Sequence, residues 1–194
     1  ATNEHNPIRI YSGSGLGGSC DKIEIVYGDV VYDKSEVEGK RYTYERYKIT
    51  YQCEPSDKID DTIAGGTTKI NGFAIFKSRE KWDGSAWISS SDDSLYSKEQ
   101  VLDYVQDLVF IPYDENGKII KAPATATYVP IDSETYNLRT VDIGLVIRSS
   151  KPFFRKDRAG AFARKIISIA TTNSSNSRNI ELVDKYFRDT ITVT

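Results

Sequence analysis

Methionine is absent from this 194-residue chain, histidine occurs once and cysteine twice. Each scarcity excludes something. A serine-type nucleophile needs a base held within hydrogen-bond reach, and the sole imidazole, His5, sits beside a flexible terminus. Cys20, Cys53 and His5 do not make the four-ligand set of a structural zinc site. No run approaches the roughly 18 consecutive apolar residues that span a bilayer, and no charged-then-apolar leader is present, so nothing here is expected to insert in a bilayer or direct export. The lack of methionine even at position 1 is read as the mark of a processed or trimmed chain, a complete soluble domain beginning at Ala1 being the alternative. A chain of this length makes one domain, 1–194, that buries roughly 70% of its unfolded surface and needs no metal for stability.

What is present is mostly strand chemistry. Residues 108–113 are apolar and β-favouring without a charge, which suits a central strand covered on both faces. Asp-Glu-Asn-Gly follows. Asp114 and Asn116 bond readily to local backbone and Gly117 supplies positive φ, so residues 118–120 are expected to return as a hairpin arm. Val141, Ile143, Leu145 and Ile147 share one face of another strand. Ile23 and Ile25 alternate with charge, a loop intervenes around 33–40, and Tyr42, Tyr44, then Tyr47, Ile49, Tyr51 and Cys53 continue the period of two; the change of phase between Tyr44 and Tyr47 suggests a bulge. Shorter strands are expected at 70–77 and 86–89, around Trp82 and Trp87. Ser97 with Gln100 gives a capping-box signal ahead of Val101, Leu102 and Val105 at helical spacing, so a short helix is expected there. Residues 1–19, with their glycine-rich stretch, read as a flexible linker region. Residues 151–179 read as a loop/helix insertion: Ala159, Phe162, Ala163, Ile166, Ile167 and Ala170 fall on one helical face, although 165–171 reads equally as a strand.

Several motifs fail on context. Gly13, Gly15 and Gly18 match G-x-G-x-x-G, but a dinucleotide site needs a strand before and a helix after, and the following element reads as a strand. The Asp-Glu-Asn-Gly turn fails as a calcium loop, because Pro112 and Pro123 would fill the first and last ligand positions. Asn173 opens an N-S-S sequon in a serine-rich loop. The acid pairs Asp60–Asp61 and Asp92–Asp93 lie in loops where carboxylates are ordinarily solvated. No catalytic residue, cofactor site or metal site is expected, and no enzyme.

Four segments carry a resemblance that covers about half of the chain. The pattern V-x-D-L-x-F-x-x-Y-D-E-N-G at 105–117, L-R-x-V-D-I-x-L-x-x-R-S at 138–149, CDKIEIVY at 20–27 and DKYFRDTITV at 184–193 together resemble the head domain of PilW-like type IV minor pilins and the related type II secretion pseudopilins. Asp189 departs from the basic residue usual there, the chain ends at Thr194 before the usual Arg-Asn, and the apolar N-terminal helix of the family is missing. The resemblance implies an α+β fold: a pilin-like head with an antiparallel β-sheet, strand-dominated, with few short helices, the pilin helix being absent from this chain. It implies a structural subunit that starts or caps a pilus or pseudopilus in the periplasm and at the cell surface. Its partners would be other minor pilins and the major pilin, with membrane contact, at the inner membrane before assembly, only through the missing helix.

Cys20 opens one expected strand and Cys53 closes another, so neighbouring strands bring them into range of a disulfide suited to an oxidising periplasm; two separate buried thiols are the alternative. Charge is uneven although the net formal charge is only −2. Residues 83–115 carry eight acids against Lys98, whereas Arg148, Lys151, Arg155, Lys156, Arg158, Arg164 and Lys165 face Asp157 alone. Complementary patches would steer docking between subunits. The rival reading is a binding module in which the basic segment 148–165, with Phe153 and Phe154, contacts DNA during uptake or serves adhesion; an ordinary solvated face is the third.

Overall fold

The computed structural model describes residues 7–13, 20–56, 72–90, 94–120, 137–151, 163–170, 177–183 and 186–194. They form β1 (Ile8–Tyr11), β2 (Lys22–Tyr32), β3 (Tyr42–Pro55), β4 (Phe73–Trp82), β5 (Trp87–Ile88), β6 (Tyr96–Tyr113), β7 (Thr140–Arg148), β8 (Ala163–Ala170), β9 (Ser177–Val183) and β10 (Arg188–Val193). One sheet runs in the order β1-β2-β3-β4-β6-β7-β10 with β5 attached to β4, and β8 pairs with β9 in a second. Every pairing is antiparallel. The expected α+β class is therefore corrected: the fold is nearly all antiparallel β, a curled half-barrel, with no helix among the described residues.

The expected helix near Ser97 is part of β6, an 18-residue strand. Its helical spacing is produced by a bulge. Phe73 pairs with Val105 but Ile75 with Leu102, so β6 holds one residue more than β4 over that stretch, and Tyr104 takes a left-handed φ of 59°. An extra residue resets the period of two, and apolar positions then fall three apart. The Gln100 amide donates to Asp103. The insertion at 151–179 is likewise corrected, since β8 and the start of β9 are strands in register from Ala163↔Val183 to Ala170↔Ser177. Within the expected linker, Ile8 and Ile10 alternate with Arg9 and Tyr11 as β1, and Ile10 is fully buried. The bulge expected between Tyr44 and Tyr47 is absent. The β2–β3 register runs without a break from Ile23↔Tyr51 to Tyr32↔Tyr42, so Tyr42 and Tyr44 simply belong to the opposite face. Tyr44 lies across Gly28, where a Cβ would overlap its ring.

Alternation assigns the two faces. The core face carries Ile10, Ile23, Phe73, Ile75, Val105, Leu108 and Phe110, joined by Cys20 and Ile120. On the opposite face of β6 and β7, Val109, Ile111 and Val146 are buried, and β8 lies against β6, β7 and β10. Residues 105–112 of β6 are accordingly buried throughout, as a strand covered on both faces requires. The turn after β6 forms as expected: Asp114 Oδ1 accepts from the backbone N–H of Asn116 and Lys118, at 2.9 and 2.8 Å, with Gly117 at φ 72°. Among the described residues its return arm is the bridge Tyr113↔Ile119.

Candidate functional site

The β4 pairing of β6 ends at Phe73↔Val105, and among the described residues no strand pairs with residues 106–111 on that side. Asp21 takes the place of one. Its N–H donates to the Leu108 carbonyl at 2.7 Å, its Oδ2 accepts from Phe110 N–H at 3.0 Å, and its Oδ1 accepts from Gly13 N–H at 2.9 Å. Asp107 answers from β6, its Oδ1 accepting from the N–H of Cys20 at 2.9 Å and of Leu108 at 2.8 Å. Both carboxylates are buried, at 0% and 1% exposure. Beside them the disulfide Cys20–Cys53 is formed, with a Cα–Cα distance of 6.0 Å. This corner ties the start of β2 to the end of β3 and to the middle of β6, which holds the curl of the sheet.

The curl leaves an apolar trough of about 400 Å³ on the core face, lined by Ile23, Ile25, Tyr51, Ile75, Phe110 and Val141 among others. At its rim Val101 is 53% exposed, and Leu102 and Ile143 each 38%. Farther along the same face the apolar lining gives way to aromatics with cations: Tyr27 stacks on Tyr47 at 5.7 Å, the Arg79 guanidinium lies 4.3 Å over the Tyr47 ring, and Arg79 Nε donates to the Tyr27 hydroxyl. Lys77 lies over Tyr96, whose hydroxyl is the main influence holding the ammonium above its ordinary value.

The opposite face of β2, β3 and β4 is polar. Lys22 pairs with Glu24 at 2.9 Å and Lys48 with Glu80 at 2.8 Å, and these four side chains with Thr50, Gln52, Ser78, Ser89 and Ser97 line a groove of about 230 Å³. Aromatic rings flank it. Lys22 Nζ sits 4.0 Å over Tyr11 and Lys48 Nζ 5.0 Å over Trp87, which meets Trp82 at 5.3 Å. Burial, and then the Glu24 carboxylate, pushes the Tyr11 phenol up.

The basic residues singled out by sequence are not gathered into one described surface. Arg148 is 5% exposed with its guanidinium 4.4 Å over the Tyr186 ring, facing the equally buried Arg188 across the β7–β10 pair. Lys151 is exposed, Arg164 and Lys165 take positions opposite Leu182 and Glu181, and Arg155, Lys156 and Arg158 lie outside the described residues, as do Asn173, Asp60, Asp61, Asp92 and Asp93. Within the acidic stretch Asp83, Asp103, Asp107 and Asp114 all accept local backbone N–H groups. For Asp83 the Ala86 and Ser85 amides hold the carboxyl below its ordinary range. Among the described residues no group of three or more His, Cys, Asp or Glu side chains is placed to hold a metal, and no helix is long and apolar enough to cross a membrane. Sequence reasoning did not find Asp21 or Gln106; the latter accepts from Arg188 at 3.4 Å inside the fold.

No family model, curated protein or solved structure matches the chain.

Proposed function

We propose that this domain is a structural subunit of a surface filament, a minor pilin of a type IV pilus or a pseudopilin of a type II secretion system, which helps start or cap the filament through subunit contacts. The observation that carries this reading is the open trough on the core face. An apolar surface of that size left in water is unfavourable at about 25 cal/mol per Å², and such patches mark sites of association. Its occupant in this reading is an apolar α-helix of the filament, which satisfies its own backbone and needs no polar partner from the trough. The four resembling segments also support it: the inner half of β6 with its turn, β7 and β10 are successive strands of the sheet, and the segment that leads into β2 meets β6 through Cys20 and Asp21. Partners are then other minor pilins and the major pilin, met in the periplasm or at the cell surface.

The reading is tested by placing aspartate at the exposed rim, Val101→Asp with Ile143→Asp, in the gene product as cells make it. These positions are 53% and 38% exposed, so melting of the purified domain should change little, by about 0.5 kcal/mol per site. Filaments, counted by electron microscopy, should disappear, since two carboxylates cannot enter an apolar contact without partners. Normal filament numbers in the double variant defeat the proposal.

A further inference from the structure

From the polar groove on the face away from the core we infer a second site, a binding site for a neutral carbohydrate, which stands or falls apart from the filament reading. The starting observation is burial. Charged side chains on one face of an open sheet normally lie in water, yet Glu24 keeps only 14% of its side-chain exposure, Lys48 16%, Glu80 23% and Lys22 24%. Thr50 at the floor is 8% exposed. The sheet therefore presents polar groups from inside a depression, part-desolvated and fixed by their ion pairs, which is how a recognition site differs from a solvated face.

The choice of ligand follows from sign and valence. Cross-strand pairing alternates the charges: Lys48 stands opposite Glu80, and Glu24 opposite Thr50. The two ammoniums and two carboxylates cancel, so an anion that approaches Lys22 or Lys48 meets Glu24 or Glu80, and a cation meets the reverse. A neutral molecule rich in hydroxyls suits both. Carboxylates accept from its O–H groups, ammoniums donate to its oxygens, and Gln52, Thr50, Ser78 and Ser89 do either. The aromatic rings complete the match. Tyr11 and Trp87 flank opposite ends of the polar floor, and each is already held in place by a lysine over its ring. The lysine covers one face of each ring, and the ring edge and second face give the C–H groups of a sugar an apolar surface while the polar floor reads its hydroxyls. The volume, about 230 Å³, is below the roughly 300 Å³ of the smallest drug-sized pockets, so the groove holds a short stretch of a glycan with the remainder running along the strands.

The test uses the folded chain and three neutral probes, maltotriose, cellotriose and tri-N-acetylchitotriose. The protein has two tryptophans, Trp82 and Trp87, both at one end of the groove, so their emission reports it directly. At least one probe should give a saturable change, with amide shifts in NMR spectra centred on residues 22–24, 48–52 and 78–80. Two variants, Glu80→Gln and Gln52→Ala, should each weaken binding about tenfold, as expected for loss of one hydrogen bond to the ligand, with unchanged far-ultraviolet circular dichroism. The proposal is overturned if none of the three sugars shifts those amides at millimolar concentration. It is equally overturned if a sulfated disaccharide or spermidine binds the groove more tightly than the neutral sugars, or if both variants bind like the parent.

Discussion

Replacing Asp21 by alanine should cost this domain about 3–5 kcal/mol, more than loss of any single apolar contact at the rim of the trough. The carboxylate is fully buried and bonds the N–H groups of Gly13 and Phe110, one on either side of it. Hydrogen bonds to a charged group are each worth about 1.5–3 kcal/mol, and alanine leaves the Phe110 N–H buried beside a cavity with no acceptor. Asp21→Asn should recover little. Both oxygens are acceptors in the native site, and an amide nitrogen would set a donor against one of two N–H groups. Against a total stability of typically 5–15 kcal/mol, the alanine variant should show a melting temperature lower by roughly 6–20 °C and a lower urea midpoint at nearly unchanged slope. Hydrogen exchange locates the effect: the Phe110 amide should lose protection before those of β3, where the ladder is intact. A variant that melts with the parent would mean that Asp21 does not close the β6 edge.

Local chemistry was legible in the sequence, and so was the Cys20–Cys53 bridge, because each cysteine stands at the end of a readable strand; the other long-range contacts were not. The turn at Asp114 could be read because its donors and its acceptor lie within four residues of one another. The central strand could be read because both of its faces are covered, so that no alternation interrupts the apolar run at 108–112. Helix was expected around Val101 because periodicity assumes an unbroken strand, and the bulge at Tyr104 breaks it. At 163–170 the residues satisfy a helical face as well as a strand, and pairing with β9, which sequence does not show, decides the outcome. The Asp21 clamp left no signal, since Phe110 is 89 positions away. For the polar groove the sequence showed only that Ile23 and Ile25 alternate with charge and that Tyr47, Ile49 and Tyr51 keep a period of two. Its floor could not be foreseen, because the register that sets Glu80 opposite Lys48 is a tertiary fact.

Removing the disulfide by Cys20→Ser with Cys53→Ser should lower stability by about 3–4 kcal/mol, nearly as much as loss of the clamp beside it. The bridge spans 33 positions, and cross-linking a loop of that length removes chain entropy from the unfolded ensemble by this amount at 25 °C. For a chain of this size the melting temperature should fall by about 6–16 °C, and the reduced parent should melt with the double serine variant. The two corner devices act on different states. The bridge works chiefly on the unfolded chain, whereas the Asp21 bonds exist only in the folded one, yet both hold the residues 20–21 that meet β6. If entropy alone mattered, the costs of Asp21→Ala and of the serine pair would add within about 0.5 kcal/mol. They should instead be coupled. With the bridge gone, residues 20–21 freed by Asp21→Ala are held to β3 only through the β2 ladder that starts at Ile23, so Cys20 N–H and Asp107 separate as well and the triple variant falls below the sum of its parts. Urea unfolding of the four proteins that make up this cycle measures the coupling, and strict additivity would show that bridge and clamp are independent fastenings.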